Sequence, residues 1–186
     1  MREMPNLSAG VVGEDMHLAA LLDPELIRTR ARVRDREDAI RLLAELMAAR
    51  GYVTPDFLPA VLKREKEFPT GLPTQEVAIA LPHTEAMHVQ HSRIAVGVLE
   101  QPVAFHMMGS PDQIVQVRVV FLLAIADNDS QVLALKQLAD LFQDGSTLGR
   151  VAAAEDEQTV YAVLLEGIRR LRPAPPEQAE RQTNGG

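Results

Sequence analysis

The chain has 186 residues, 46% of them hydrophobic, enough for one domain with a substantial core. Nineteen basic against 26 acidic side chains leave a net charge of −7, and aromatic residues amount to 4% with no Trp, which argues against a nucleic-acid platform and against an anionic membrane surface as partner. The absence of cysteine excludes disulfides, thiolate chemistry and cysteine-ligated zinc.

Residues 1–15 are polar, carry Glu3, Glu14 and Asp15, and lack the apolar run of a signal peptide, so they read as a flexible leader. The longest apolar stretch, residues 119–126, is far too short to span a bilayer, and a cytoplasmic protein is expected. Residues 16–22 carry a short apolar patch that Asp23-Pro24 breaks. In residues 26–33, Leu26, Arg28, Arg30 and Arg32 alternate with Ile27, Thr29, Ala31 and Val33, the period of an edge strand with one solvated face.

Residues 35–50 form the clearest helix, with Asp35 as N-cap, Asp38 three residues on in a capping-box-like arrangement, and Gly51 beyond the end. Ala39, Leu42, Leu43, Leu46 and Met47 make its apolar stripe. Thr54-Pro55-Asp56 signals a second helix start with a hydroxyl cap, and Phe57, Leu58, Val61 and Leu62 form that helix's apolar face. Lys63-Arg64-Glu65-Lys66-Glu67 reads as a solvated charge run in which the two carboxylates form no acid–base couple. The stiff loop Phe68-Pro69-Thr70-Gly71-Leu72-Pro73 then delivers the chain to a short apolar run, residues 77–81, which reads as a buried strand.

Pro82 stops that strand, because it has no N–H for a sheet ladder, and His83 follows at once. A side chain there stands at the C-terminal lip of a buried strand, where α/β folds place their chemistry. Thr84 and Glu85 offer it polar partners; His17, His88, His91 and His106 have no comparable setting. Beyond a polar connection, residues 94–99 and 103–105 read as two strands, Ser110-Pro111-Asp112 as a turn, and residues 115–126 as a central strand that becomes buried on both faces. Residues 127–130 carry N-cap chemistry for a helix over 131–142 with Val132, Leu135, Leu138, Ala139 and Phe142 on one face, ended by Asp144-Gly145. A short helix over 148–153 and a longer one over 156–171, with Val160, Val163, Leu164 and Ile168 as its stripe, close the fold; the Pro-rich residues 172–186 read as a disordered tail. The order of elements predicts a single-domain α/β sandwich, a mixed sheet with helices on both sides.

No G-x-G-x-x-G, Walker or G-x-S-x-G pattern is present. The spacing of His83, His88 and His91 matches no strong metal template. What remains is one histidine near cationic groups. A neutral imidazole is a competent nucleophile toward phosphorus, and phosphoryl transfer asks mainly for positioning and positive charge, which a guanidinium such as that of Arg64 supplies in bidentate form.

Arg64-Glu65-Lys66-Glu67-Phe68-Pro69-Thr70-Gly71, followed by Val77-Ala78-Ile79-Ala80-Leu81-Pro82-His83-Thr84-Glu85-Ala86, resembles the signature of the type-2 (fructose/mannitol-type) enzyme IIA domain of the bacterial sugar phosphotransferase system, the Phe68–Gly71 loop resembling the galactitol branch in particular. The similarity runs over residues 16–171. The resemblance implies a five-stranded mixed sheet flanked by helices, and His83 as the residue that takes a phosphoryl group from the phosphohistidine of HPr and passes it to a cysteine of enzyme IIB. Arg64 matches the family arginine beside that histidine; Thr70, Thr84, Glu85 and Ser130 are the supporting candidates. Ser130 aligns where mannitol-type members carry a second histidine, and Thr84 stands where Gly or Cys is common. No metal or diffusible cofactor is implied, and the link to a membrane IIC transporter is indirect. The resemblance leaves open a regulatory, nitrogen-type role through the same histidine, and a non-catalytic interaction module.

Overall fold

The protein, seen as a computed structural model, is described over residues 18–143 and 145–171. The expectations for the leader, for residues 16 and 17, for Asp144 and for the tail 172–186 lie outside the described residues. The elements run α1 (Leu18–Leu21), β1 (Leu22–Ala31), α2 (Arg36–Ala49), α3 (Phe57–Glu67), β2 (Gly71–Leu72), β3 (Ala78–Ala80), a one-turn 3-10 helix (Ala86–His88), β4 (Arg93–Met107), β5 (Ser110–Ala124), α4 (Asn128–Phe142), α5 (Thr147–Ala153) and α6 (Glu157–Arg170).

β1 lies at the edge, parallel to β4; β4 and β5 form a long antiparallel hairpin; β3 runs parallel to β5, and β2 antiparallel to β3. The single pair Gly71–Met107 joins β2 back to the end of β4, so β4, β5, β3 and β2 form a closed circuit. A Cβ on residue 71 would stand 2.6 Å from the His106 carbonyl oxygen, so this crossing requires glycine.

Period two distributes the strand side chains between two cores. Ile94, Val96, Val98, Val119, Phe121 and Leu123 face one layer, built from α1, α4, α5 and α6. Ala95, Leu99, Val120, Leu122 and Ala124 face the other, built from α2 and α3. This is the expected sandwich, with a five-stranded mixed sheet between helices.

Several local expectations are corrected by packing. β1 begins at Leu22 and carries Asp23-Pro24 within it, opposite a register shift, instead of breaking there. Leu26 and Ile27 are both fully buried, because both faces of this edge strand are covered. A second irregularity puts Arg30 at φ 48°. Residues 94–99 and 103–105 belong to one strand, β4, interrupted by a bulge; the chain reverses at Met108-Gly109, with Gly109 at φ +75°, and Ser110-Pro111-Asp112 already lies in β5.

In α2 Asp35 accepts from the Asp38 N–H as predicted, whereas the Asp38 carboxylate takes the backbone N–H of Arg34; Ile40 and Ala44 join the buried stripe, and Leu42 and Leu46 sit at its margin. The Thr54 hydroxyl makes no cap: it is buried without a partner among the described residues, and the Thr54 carbonyl accepts from Phe57 instead. α4 starts at Asn128 and buries Ala134, Leu138 and Leu141, leaving Val132 exposed.

Candidate functional site at the end of strand β3

The strand β3 is apolar because it crosses the middle of the molecule: Ile79 and Ala80 are fully buried. Past its last residue the chain stays tied to β5. The Pro82 carbonyl accepts from Leu123 N–H at 3.0 Å, and His83 makes an isolated parallel bridge with Leu123. Pro82 thus has no N–H to carry the ladder on, while its own carbonyl keeps the His83 segment against β5.

The His83 Nδ1 lies 2.7 Å from the Leu81 carbonyl oxygen. A carbonyl only accepts, so Nδ1 is the protonated nitrogen and Nε2 keeps its lone pair. Burial, chiefly, holds the imidazole below its ordinary pKa; the Leu81 hydrogen bond acts the other way, the positive charge of Arg64 lowers it further, and Glu85 opposes that. Each protonation influence therefore has an identified source, and the dominant one favours the neutral ring.

Arg64 stands in the last turn of α3, where the helix dipole favours a cation. Its Nε is buried without a hydrogen-bond partner among the described residues, its guanidinium lies 5.5 Å from the Phe68 ring centroid, and its NH1 is 3.9 Å from Glu85 Oε1. That ion pair is long and half exposed, so it contributes little and leaves the guanidinium available to an anion. A concavity of about 200 Å³ beside it is lined by Lys63, Arg64, Glu67, Phe68, Glu85 and His88. A roomier one, about 410 Å³ between Pro73 and Phe142, has no titratable side chain in its walls, and size alone does not locate the chemistry.

The supporting candidates divide. Thr84 is buried, its hydroxyl donates to Glu85 Oε2 at 2.7 Å, and its carbonyl accepts from Gln131 Nε2 at 3.1 Å. Ser130 uses its backbone N–H to close the cap on Asp127, at 2.8 Å, so at the start of α4 Gln131 is the residue bonded to the His83 segment. Thr70 reaches the site through the backbone: its hydroxyl accepts from Leu81 N–H at 3.1 Å, one residue's length from the carbonyl that holds His83.

Glu65 overturns the expectation of a solvated charge run. It is 4% exposed, and its carboxylate accepts from Thr70 N–H at 3.0 Å and from the Thr70 hydroxyl at 2.7 Å. The signal was present as spacing: Phe57, Val61 and Glu65 recur every four residues, and they are the buried residues of α3. Gln131 had no such signal. Elsewhere, His91 is exposed with its ring edge-on to Tyr52 at 6.1 Å, and His106 Nδ1 meets the Pro111 carbonyl at 2.7 Å. Among the described residues no three His, Asp or Glu side chains gather as a metal site, and no helix is long and apolar enough to cross a membrane.

Fold and site together define a single-sheet α/β sandwich with a desolvated imidazole and a guanidinium at one strand end. Residues 20–167 match the model of the family described as "Phosphoenolpyruvate-dependent sugar phosphotransferase system, EIIA 2", and the chain belongs to that family. It is 31% identical over 150 residues to the mannitol-specific phosphotransferase enzyme IIA component of Halalkalibacterium halodurans, covering 78% of this chain and 95% of the relative. To the galactitol-specific EIIA component of Escherichia coli it is 33% identical over 104 residues, 56% of this chain and 69% of the relative. It also resembles the nitrogen regulatory protein of Escherichia coli, at 26% identity over 155 residues, 81% of this chain and 91% of the relative. Two longer relatives, the 2-O-alpha-mannosyl-D-glycerate-specific EIIABC component of Escherichia coli and a multiphosphoryl transfer protein of Xanthomonas campestris, are each 31% identical, and the chain spans only 22% and 16% of their lengths. Among solved structures, enzyme IIA of the mannitol system from Escherichia coli, in complex with phosphorylated enzyme IIB, superposes with a TM-score of 0.65 at 26% identity over 78% of this chain and 99% of that one.

Proposed function

We propose that the protein is a phosphocarrier subunit of a sugar phosphotransferase system, working in the cytoplasm and accepting a phosphoryl group on His83. In this reading the Nε2 lone pair attacks the phosphorus of phosphohistidine on HPr. The new P–N bond forms as the old one breaks, and the donor imidazole keeps the electron pair. In the second half a cysteine thiolate of enzyme IIB attacks the same phosphorus, and His83 leaves as the neutral ring. Neither half needs a net proton from the site.

The single observation that carries this reading is the bond from His83 Nδ1 to the Leu81 carbonyl. It fixes the tautomer with Nε2 free, in a setting whose desolvation keeps that nitrogen unprotonated. Arg64 supplies the positive charge for the equatorial oxygens, and Thr84, Glu85 and Gln131 hold the segment after His83 against α3 and α4. The enzyme IIB partner is supported by the solved complex of the mannitol relative, and a membrane IIC transporter enters only through enzyme IIB.

The test is intact mass of the full chain after incubation with phosphoenolpyruvate, enzyme I and HPr. One acid-labile phosphoryl group on the parent and none on His83→Ala is the expected result; undiminished labelling of the variant would end the model. Similarity to a nitrogen regulatory protein supports a second reading, in which the same phosphorylation adds nearly two charges to a docking face and controls partner binding. Phosphoryl transfer onward to an enzyme IIB separates the two. Failure of the parent to accept phosphate from charged HPr would point to a non-catalytic module.

A further inference from the structure

Burying a carboxylate needs a compensating reason, and in α3 nothing apolar supplies one: Glu65 sits on the stripe that Phe57 and Val61 occupy, where a leucine would serve packing better. What the acid has in return is Thr70, which gives it both its N–H and its hydroxyl proton. A hydroxyl has one proton. Once that proton is committed to Glu65 Oε2, the Thr70 oxygen can only accept toward its other neighbour, and that neighbour is the Leu81 N–H. This N–H lies just past the end of β3, where the sheet offers it no ladder partner. Leu81 then carries, on the other side of its own Cα, the carbonyl that holds His83 Nδ1. Pro82 restricts the next φ, and the Pro82 carbonyl is itself held by Leu123. The close crossing at Gly71 keeps Thr70 from drifting away, because Gly71 pairs with Ala80 on one side and Met107 on the other.

We propose that Glu65 is a positioning residue for His83, acting through the Thr70 hydroxyl and the Leu81 backbone to hold the carbonyl that selects the Nδ1-protonated tautomer and presents Nε2 to phosphorus. The proposal deepens the phosphocarrier reading and rests on it for its kinetic part only. The Glu65 carboxylate bonds to Thr70 and not to His83, so its effect is the geometry of Leu81. Burial pushes its carboxyl pKa up, with the Thr70 hydrogen bonds acting the other way, and the network is strongest while the carboxylate is ionised and accepts both donors.

The experiment compares Glu65→Gln, Thr70→Val and Thr70→Ser in the full chain by two readouts. Ring nitrogen chemical shifts of His83 report the tautomer without any phosphoryl transfer, and single-turnover transfer from phospho-HPr reports the rate. Thr70→Val removes the hydroxyl at constant shape, Glu65→Gln removes one acceptor, and Thr70→Ser keeps the hydroxyl. Expected are a mixed tautomer population and a rate loss of tenfold or more in the first two, with Thr70→Ser within about threefold of the parent. Parent-like ring shifts in folded Thr70→Val and Glu65→Gln would overturn the proposal, whatever the rates. Should Thr70→Val fail to fold, the ring shifts of Glu65→Gln decide. If the parent itself takes no phosphoryl group, the phosphocarrier reading fails while the tautomer readout still judges Glu65.

Discussion

Arg64 combines two properties that rarely coexist on a half-exposed arginine. Among the described residues its Nε is shut away from water without a partner, yet its ion pair with Glu85 is stretched to 3.9 Å. Arg64 already acts electrostatically on His83, and a charge-assisted bond from its guanidinium to a phosphoryl oxygen there would be worth roughly 1.5–3 kcal/mol. Arg64→Ala is therefore expected to slow transfer from phospho-HPr by more than tenfold while leaving thermal unfolding nearly unchanged; rapid-quench kinetics with labelled phosphate would check it, and an unaltered rate would remove Arg64 from the site. His83 stood out from the local Leu81-Pro82-His83 step, whereas Arg64 became a candidate only through the resemblance of the motif around it to the family signature. Glu65 was marked only by its spacing, four residues beyond Val61 on the stripe of Phe57, and in a run of five charged residues that spacing reads as a solvated face until the sheet is in place.

At the scale of elements, the site depends on α4 as much as on β3. Asp127 sits extended at the N-cap and accepts from Ser130 N–H, which sets the first turn and places Gln131 against the Thr84 carbonyl. Asp127→Ala should lower stability by about 1 kcal/mol, as the loss of an N-cap does elsewhere, and should loosen the His83 segment with it. Urea unfolding gives the first quantity; amide exchange at Thr84 and Glu85 gives the second, and protection there identical to the parent's would separate α4 from the site. The caps of α4 and α6, Asp127 and Asp156, were fixed to single residues only by the structure, but the helices α2, α4 and α6 were readable in advance from their apolar stripes and, for α2, from the Asp35 cap. The hairpin of β4 and β5 was not: its bulge between Val98 and Val103 looks, in one dimension, like the end of one strand and the start of another.

For the whole molecule, the depressed pKa of His83 links protonation to stability. A histidine whose folded pKa lies below its ordinary value of 6.5 contributes stability that is complete above 6.5 and is lost as pH falls through the folded value, because the unfolded chain binds the proton first. Glu65 acts in the opposite sense: its raised pKa makes the fold relatively more stable at low pH, and that advantage disappears as pH rises from 4.5 through the folded value. Both chains carry Glu65 in a comparison of parent with His83→Ala, so the difference isolates the imidazole. The parent's urea midpoint is expected to fall more steeply than the variant's between pH 7.5 and mildly acidic pH, and parallel curves would contradict a partly buried ring held below its ordinary pKa.

The sequence by itself determined what is decided within a few residues of chain. This includes the Asp35 cap of α2, the apolar stripe of α6, the stop at Pro82 and the motif that marks the family. These follow from backbone hydrogen bonding and side-chain period, which neighbouring residues set among themselves. Only the tertiary structure decided which charges are buried, which strand ends meet and which imidazole nitrogen is free. Leu26 and Ile27 are both buried because helices cover both faces of an edge strand, and Gly71 meets Met107 because the hairpin curls back on β2. Glu65, Thr70, Leu81 and His83 join into one chain of hydrogen bonds across a 19-residue stretch that no local rule spans, since desolvation and long-range contact exist only once the sheet has closed around them.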